Sequence, residues 1–435
     1  MTAYIHQVKQ LHRPIPSRLG QLSLELTELC NNDCIHCCIN LPANDAAARA
    51  REMTTAQVKG ILQQAADLGC LQVRFTGGEP LLRPDFEELY LCARRLGLKV
   101  LVFTNARLIT PRLADLFARI PPLVTIEVTV YGMRAASYEA VTRAPGSFAQ
   151  FWRSVNLLLG RRVPFIVKSA LLPPNRAEIA EFEAWARTIP WMTRHPSYSM
   201  NFDLRNRRDD ARKNAQIAAL RLSPPETVAM LTRDEAKYRK EMHEFASKFM
   251  GPPGDVLFRF GAGHGMCIDA YGRAQPCMGI RAPELTVALP PPQPSPAHYP
   301  PPTPPASQGE SSEQGREQSP LPLFGDFPNG GRAGDGGLAA ALAHFAALRD
   351  LRATNPEYLR RCARCFLKGL CEQCPAKSWA EHGTLDTPVE YLCDVAHAQA
   401  RWLGWLGENE HGWEVRAWRE RVAQSAAVDV PRDLA

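Results

Sequence analysis

The chain has 435 residues, of which 45% are hydrophobic and 22% charged, and its formal net charge is +6. This composition is typical of a soluble globular protein, and so mild a charge does not indicate a nucleic-acid or membrane partner. The N-terminal stretch lacks the continuous apolar region of a signal peptide, and no window approaches the roughly 18 apolar residues of a membrane span. We therefore expect a cytoplasmic protein with one large and one smaller unit and with no nucleic-acid or membrane partner.

Thirteen cysteines are distributed unevenly along the chain. In a reducing compartment they indicate metal binding rather than disulfides. Most lie in two groups, at residues 30–38 and 267–393, and the first group, "CNNDCIHCC", directly follows the strand-like run "LSLELTEL". Cys70 and Cys92 fall outside both groups and are predicted to be core thiols. Cys38, the last cysteine of the first group, is predicted to be a packed thiol, with a role as an additional ligand as the alternative.

Strand-like and helix-like segments alternate after the first cysteines. The helix "MTTAQVKGILQQAADLG" has Thr54 or Thr55 as its N-cap, and the strand "LQVRFTGG" follows it. The series continues through helix "DFEELYLCARRLG", strand "KVLVFTN", helix "PRLADLFARI", strand "VTIEVTVYG", helix "GSFAQFWRSVNLLLG", strand "PFIVKSALL" and helix "RAEIAEFEAWART". About six such repeats predict an α/β fold with a parallel sheet and right-handed crossovers.

An open or closed β/α barrel fits this alternation better than a doubly wound sheet, although periodicity alone does not separate them. In both folds the functional site lies at the carboxyl ends of the strands. The cysteine loop, the "TGGEP" turn and the strand ends at residues 104–105 and 131–132 all fall there.

Changes in composition divide the chain. We expect an N-terminal extension at 1–20, the barrel at 21–200, a bridging helical segment at 201–260, a cysteine-rich unit at 261–288 and 337–400, and a C-terminal helix and tail at 401–435. Residues 289–336 are rich in Pro, Gly, Ser and Gln and have no apolar period. This stretch predicts a disordered insert within the cysteine-rich unit.

The first group contains the spacing C-x3-C-x2-C at Cys30, Cys34 and Cys37. A disulfide staple, a zinc knuckle and an iron–sulfur cluster are all compatible with several thiols in one loop. Three thiolates on a tight loop would hold three irons of a cubane cluster and leave the fourth iron open to a substrate or cofactor. An open coordination position distinguishes a catalytic metal site from a structural one.

This loop, followed about forty residues later by "TGGEP", resembles the radical S-adenosylmethionine (SAM) enzymes. These enzymes share a CxxxCxxC loop after the first strand of a partial (β/α)6 barrel, with an aromatic or His residue before the last cysteine, as His36 is here. The resemblance implies a [4Fe–4S] cluster on Cys30, Cys34 and Cys37, with SAM bound to the open iron.

The resemblance also implies the residues that bind SAM. Gly77 and Gly78 would offer backbone carbonyls, Glu79 would accept from the amino group of SAM, and Pro80 would stiffen the turn. The further candidates for the SAM pocket are Thr104, Asn105 and Thr129, and capping of the next helix is the alternative role of Thr104 or Asn105. Tyr131 is expected on the substrate side.

The second cysteine group resembles the SPASM extension of radical SAM proteins, a small unit with a β-hairpin and short helices that carries two auxiliary iron–sulfur clusters. The resemblance assigns the outer cluster to Cys362, Cys365, Cys371 and Cys393, and the inner cluster to Cys267, Cys277 and Cys374 with its fourth position open or otherwise filled. The chain departs from the family pattern in the x2 spacing before Cys374 and in the short distance from Cys267 to Gly272. One zinc site on the two CxxC pairs is the alternative.

The implied activity is reductive cleavage of SAM to a 5′-deoxyadenosyl radical, which takes hydrogen from a substrate. SPASM enzymes mostly modify ribosomally made peptides or proteins, so a peptide maturase, an oxidoreductase, is the leading interpretation. Met278 follows Cys277 where sulfatase-maturing enzymes have Asp, which argues against that role. A cofactor-biosynthesis enzyme acting on a small molecule and a non-catalytic zinc-binding protein are the alternatives.

Three partners follow from the leading interpretation. They are a precursor peptide or protein, a reductant such as flavodoxin or ferredoxin, and a separate peptide-recognition protein. Such a protein, or direct binding of the leader by the enzyme, is expected because only about twenty residues precede the first predicted strand.

Overall fold

A computed structural model describes residues 19–258, 265–290 and 337–428. Its strands are β1 (Gln21–Thr27), β2 (Leu29–Cys30), β3 (Leu41–Pro42), β4 (Gln72–Gly77), β5 (Lys99–Thr104), β6 (Leu123–Val130), β7 (Phe165–Ala170), β8 (Ser197–Ser199), β9 (Gly265–Ile268), β10 (Arg273–Gln275) and β11 (Val287–Ala288). Its helices are α1 (Ala46–Arg51), α2 (Thr55–Asp67), α3 (Phe86–Arg95), α4 (Pro111–Arg119), α5 (Ala135–Thr142), α6 (Ser147–Gly160), α7 (Ile179–Ala186), α8 (Ala211–Ala219), α9 (Pro224–Leu231), α10 (Glu235–Phe249), α11 (Gly337–Ala346), α12 (Pro356–Arg360), α13 (Pro375–His382), α14 (Glu390–Trp402) and α15 (Trp418–Val428).

Among the described residues the main sheet has nine strands, and six consecutive parallel ones form the barrel part, in the order β1-β4-β5-β6-β7-β8. Each strand lies beside the preceding member of this series, so right-handed crossovers place the connecting helices on one side of the sheet. A doubly wound sheet would instead reverse its strand order. The predicted partial (β/α)6 barrel is therefore confirmed.

The two faces of the barrel sheet differ in polarity. On β4, Val73 and Phe75 are fully buried in the core with the helices, and the Phe75 ring meets the Phe86 ring of α3 at 6.1 Å. Arg74, between them, lies on the opposite face, because successive strand residues alternate sides. We call this opposite face the lumen. Helix α2 begins with a capping box in which Thr54 is the N-cap, one of the two predicted caps.

The second cysteine group begins on the barrel sheet itself. Strand β9 pairs with the free edge of β1 in parallel and forms an antiparallel hairpin with β10. Gly272 turns the hairpin at φ +77°, as its position predicts. Helix α11 also packs into the barrel core, where Leu338 and Phe345 are fully buried. Residues 265–288 and 337–346 therefore share the barrel's core.

A second, smaller core lies among helices α10, α14 and α15. Phe366 and Trp405 are fully buried in it, and the rings of Phe366 and Trp418 stack at 5.5 Å. Residues beyond 400, which the sequence predicts as a helix and tail, thus contribute to a packed core.

Two predicted segments lie outside the described residues. They are the N-terminal extension, apart from residues 19–20, and the Pro-rich insert, apart from residues 289–290. Among the helices that the structure describes, none combines the length and the apolar character needed to cross a membrane.

Candidate active site at the carboxyl ends of the strands

The first cysteine loop leaves the barrel after β1 and is fixed by backbone hydrogen bonds. The N–H of Asp33 donates to the carbonyl of Thr142 at 2.9 Å, and that of Ile35 donates to Val141 at 3.0 Å. Within the loop, the N–H of Cys37 donates to the carbonyl of Cys34 at 3.1 Å. The last carbonyls of α5 thus accept hydrogen bonds from the loop, and these bonds fix the loop against the end of the helix.

Three cations that sequence reasoning missed also bind this loop. Arg107 donates to the Asn31 carbonyl and to Asn32 Oδ1. Lys213 Nζ donates to the Cys34 carbonyl at 3.1 Å. The third cation, Arg143, pairs with Asp33 at 2.7 Å. These side chains act on backbone and loop atoms from distant parts of the chain, and no local motif marks them.

The three thiols of the loop lie in a largely desolvated site. Cys34 is buried, and Cys30 and Cys37 are half-buried. Burial, together with the nearby Cys37, raises the pKa of Cys34 to about 12. A free thiol there stays protonated at neutral pH, whereas a bound iron cation would stabilise the thiolate and displace the proton. The donor set therefore fits a thiolate-bound cluster.

His36, before the last cysteine of the loop, fills an aromatic pocket. Its ring centroid lies 5.8 Å from that of Tyr131 and 5.2 Å from that of Phe202. Burial lowers the pKa of His36 to about 4, so the ring is neutral at physiological pH. Tyr131, predicted on the substrate side, therefore packs against the cysteine loop.

Glu79 is fully buried beside the cysteine loop. Its carboxylate accepts hydrogen bonds from Thr104 Oγ1 at 2.8 Å, from the Asn105 N–H at 2.8 Å and from the Leu81 N–H at 3.1 Å. Burial nevertheless raises the pKa of Glu79 to about 7. Thr104 and Asn105 were predicted to lie at the SAM pocket or to cap a helix. They donate hydrogen bonds to the Glu79 carboxylate, the group predicted to bind the amino group of SAM.

Asn105 connects this carboxylate to the cysteine loop. Its Nδ2 donates to Asn31 Oδ1 at 2.7 Å and lies 3.8 Å from Cys30 Sγ. The "GGEP" turn and the three-cysteine loop, some forty residues apart in sequence, therefore meet at one site. Pro80 is buried at the start of a short 3-10 turn, Pro80–Leu82.

Gly77 and Gly78 run against the backbone that follows β1. The Gly78 N–H donates to the Thr27 carbonyl at 2.8 Å, and the Glu79 N–H donates to the Leu29 carbonyl at 2.8 Å. A Cβ on Gly77, whose φ is +130°, would lie 2.1 Å from the Thr27 oxygen. A Cβ on Gly78 would lie 2.2 Å from the Leu29 oxygen. The close approach of these two chain segments requires glycine at both positions.

We expect Gly78→Ala to destabilise the protein by at least about 2 kcal/mol, because the added methyl overlaps rigid backbone. Equilibrium denaturation measures this loss. Gly160→Ala, at the end of α6, is the matched control, since nothing lies within 4 Å of the added carbon. Equal stability of the two variants would contradict the tight packing of the turn on β1.

Thr129, the remaining predicted SAM-pocket residue, is half-buried on the lumen face of β6 and lies in register with Lys168 of β7. It is not among the residues that hold Glu79.

Four cysteines of the second group line one cavity, together with His397 and Trp413: Cys362, Cys365, Cys371 and Cys393. These are the four predicted for the outer cluster. Arg361 Nη2 lies 3.5 Å from Cys393 Sγ, and its guanidinium carbon lies 4.8 Å from the Trp413 ring centroid. A cationic donor beside a thiolate stabilises the charged form of the sulfur.

The chain beyond residue 400 closes this cavity. The Gly412 N–H donates to His397 Nε2 at 3.0 Å, and the Phe366 N–H donates to the Gly412 carbonyl at 3.2 Å. A Cβ on Gly412 would lie 2.8 Å from Cys365 Sγ. The segment predicted as a tail therefore encloses the outer cysteines.

The three cysteines predicted for the inner cluster lie around the β9–β10 hairpin. Cys267 is fully buried on β9, with its thiol 3.8 Å from Glu25 Oε1. Cys277, after β10, is exposed, and a Cβ on Gly279 would lie 3.9 Å from its Sγ and 3.1 Å from the Cβ of Ala376, two residues after Cys374. Three thiols in one region, with no fourth cysteine assigned to them, fit a cluster with one position open or filled by another ligand.

Within the described ranges, no three His, Cys, Asp or Glu side chains converge closely enough to hold one metal ion.

Residues 24–186 match the sequence model of the radical SAM superfamily. The AdoMet-dependent heme synthase of Methanosarcina barkeri is 28% identical over 174 residues, 40% of this chain and 49% of that protein. The PqqA peptide cyclase of Xanthomonas euvesicatoria is 30% identical over 263 residues, 59% of this chain and 62% of that protein. The chain thus spans about half or somewhat more of these relatives' length.

Among solved structures, Streptococcus suis SuiB bound to precursor peptide SuiA superposes with a TM-score of 0.53 and 15% identity, covering 90% of this chain and 80% of that one. At this identity the likeness concerns the fold alone. The family match covers most of β1, strands β2 to β7, the cysteine loop and the "GGEP" turn described above. Residues 24–186 of this chain are therefore a radical SAM domain.

Proposed function

We propose that this protein is a radical SAM enzyme of the SPASM type that modifies a ribosomally made peptide. The observation that carries this proposal is the meeting of the three-cysteine loop and the buried Glu79 carboxylate through Asn105. A metal-binding loop next to a buried acceptor for an amino group is what chelation of SAM requires.

Each part of the site has a task in this proposal. Cys30, Cys34 and Cys37 would hold a [4Fe–4S] cluster, Glu79 would accept from the amino group of SAM, and the carbonyls of Gly77 and Gly78 would border it. Thr104 and Asn105 donate hydrogen bonds to the Glu79 carboxylate and so fix its orientation. Bound together, the reduced cluster and SAM supply the 5′-deoxyadenosyl radical that takes a hydrogen atom from the substrate.

The two remaining cysteine sets would hold auxiliary clusters. The outer set, Cys362, Cys365, Cys371 and Cys393, lies in a single cavity, which supports four-thiolate ligation. The inner set, Cys267, Cys277 and Cys374, would leave one position open. A low-potential donor such as flavodoxin or ferredoxin would supply the electron, and the protein is expected to act in the cytoplasm. A separate recognition protein for the precursor peptide is also part of the proposal.

The peptide substrate is favoured by the likeness to the PqqA peptide cyclase, the relative that covers most of this chain among those described. The likeness to an AdoMet-dependent heme synthase favours a second candidate, a small-molecule enzyme with the same cofactors. The residues described here bind the cluster and SAM in both cases, so the substrate must be tested directly.

The experiment is anaerobic reconstitution, followed by SAM and dithionite and by mass spectrometry of the products. We expect 5′-deoxyadenosine, methionine and more than about four irons per chain, since one cubane alone holds four. Short peptides encoded beside the gene and tetrapyrrole or quinone precursors are then supplied in parallel, and a mass change identifies the substrate class. Bound zinc without iron and no 5′-deoxyadenosine would refute the proposed chemistry.

A further inference from the structure

A group of charged residues faces the lumen at the middle of the barrel. It consists of Arg74 on β4, Glu127 on β6 and Lys168 on β7, around the aromatic ring of Phe103 on β5. All four side chains are half-buried, so they are partly desolvated but remain within reach of a ligand. None of them takes part in holding the cysteine loop or Glu79.

Two cations share the Phe103 ring. Lys168 Nζ lies 4.1 Å from the ring centroid, and the guanidinium carbon of Arg74 lies 4.8 Å from it. Lys168 is neutralised by an ion pair with Glu127. Arg74 has no carboxylate partner among the described residues: Nη1 lies 3.9 Å from the sulfur of Met278, and Nε is buried without a hydrogen-bond partner. The group therefore carries one excess positive charge.

An unpaired guanidinium in a partly desolvated site is energetically unfavourable. By contrast, the buried Arg281 in the same barrel forms an ion pair with the buried Glu25 at 2.5 Å. The planar guanidinium fork matches a carboxylate in a two-point contact, and this match is stronger where water is excluded. Arg74, stacked on a ring and left with an unused donor, is arranged to receive such a group from outside the chain.

The location connects this group to the reaction site. Phe103 directly precedes Thr104, whose hydroxyl donates to Glu79, and Met278 directly follows Cys277. The excess charge thus lies beside the chain segments that carry the proposed SAM pocket and the inner cysteine set.

We propose that Arg74, supported by Phe103 and Lys168, is a subsite for a carboxylate of the peptide substrate. An Asp or Glu side chain, or the peptide's C-terminal carboxylate, supplies this chemistry. The inference rests on the proposed function, since it names the substrate group that the same lumen recognises.

The test is selection of random peptides on the reconstituted, SAM-loaded enzyme, with one library ending in a carboxylate and one in an amide. We expect Asp or Glu to be enriched over Asn and Gln at one position, or the free C-terminus over the amide, by about ten- to a hundredfold, the range of a charge-assisted contact. Arg74→Gln should abolish this preference, and Arg74→Lys should restore part of it. Arg187→Gln, at an exposed position, is the control that keeps it.

Three outcomes would overturn the subsite: peptides without any preference for a carboxylate, a preference that survives in Arg74→Gln, and a loss of SAM affinity in that variant. The last would assign Arg74 to the carboxylate of SAM. Measuring 5′-deoxyadenosine distinguishes failure of the carboxylate subsite from failure of the proposed radical SAM function. If the wild type cleaves SAM but shows no carboxylate preference, the subsite alone fails, whereas absence of SAM cleavage refutes the proposed function.

Discussion

Replacement of Cys30, Cys34 and Cys37 together by Ala is expected to abolish the formation of 5′-deoxyadenosine. The three thiols are the only protein ligands proposed for the catalytic cluster, so their loss removes the metal on which SAM would bind. The auxiliary sets lie elsewhere, in the cavity closed by Gly412 and around the β9–β10 hairpin. Iron should therefore fall by about four atoms per chain while the rest is retained.

The measurements are product analysis and iron content on the reconstituted protein, with thermal unfolding as a check on folding. Cys38→Ala is the matched control, since it removes the adjacent thiol of the same loop, predicted to be packed rather than ligating. It should keep both iron and SAM cleavage. Product from the triple variant, or loss of all iron from it, would show that the ligand assignment is wrong.

The sequence predicted the parts of the fold that repeat locally. Alternating strands and helices predicted a barrel, and the apolar residues of β1 and β4 are buried against helices as that fold requires. The pairing of β9 with β1 was not predictable in the same way. It joins segments such as Leu22 and Met266, more than two hundred residues apart, through backbone hydrogen bonds that leave no side-chain pattern.

The candidate site shows the same division. The cysteine loop and the "GGEP" turn are contiguous motifs, and their resemblance to those of radical SAM enzymes predicted where the cofactors would bind. The residues that support these motifs come from distant parts of the chain. Arg107 and Lys213 donate to backbone carbonyls of the loop, and because every residue has a carbonyl, no sequence pattern marks these contacts. Thr104 and Asn105 were found because they follow a strand, but their hydrogen bonds to Glu79 depend on the packing of β5 beside β4.

Glu79→Ala is expected to weaken SAM binding by about ten- to a hundredfold, with iron content unchanged. A hydrogen bond to a charged group in a desolvated site contributes about 1.5–3 kcal/mol, which corresponds to this range of dissociation constants. Glu79 is completely buried, so water cannot replace the lost acceptor. Isothermal titration of the reconstituted, unreduced protein with SAM measures the effect.

A conservative variant separates charge from packing. Glu79→Gln keeps the size of the side chain and one acceptor oxygen, for either Thr104 or Asn105, which donate to different oxygens of the carboxylate, but it loses the negative charge. Glu178→Gln is the matched control, because Glu178 is likewise a buried carboxylate that accepts from a backbone N–H and a hydroxyl, those of Met133 and Ser137. We expect Glu79→Gln to bind SAM weakly and Glu178→Gln to bind it normally.

The pH dependence gives an independent check on Glu79. Burial raises the pKa of this carboxyl to about 7, so in the SAM-free protein it is largely protonated below that pH and charged above it. Only the charged form attracts the amino group of SAM. SAM affinity should therefore increase as pH rises from about 6 to about 8, and less steeply in Glu79→Gln, where this ionisation is absent. SAM's own amino group titrates equally in both proteins, so the difference between the two profiles belongs to Glu79. Identical profiles, or an unaltered dissociation constant in Glu79→Ala, would remove Glu79 from the SAM site.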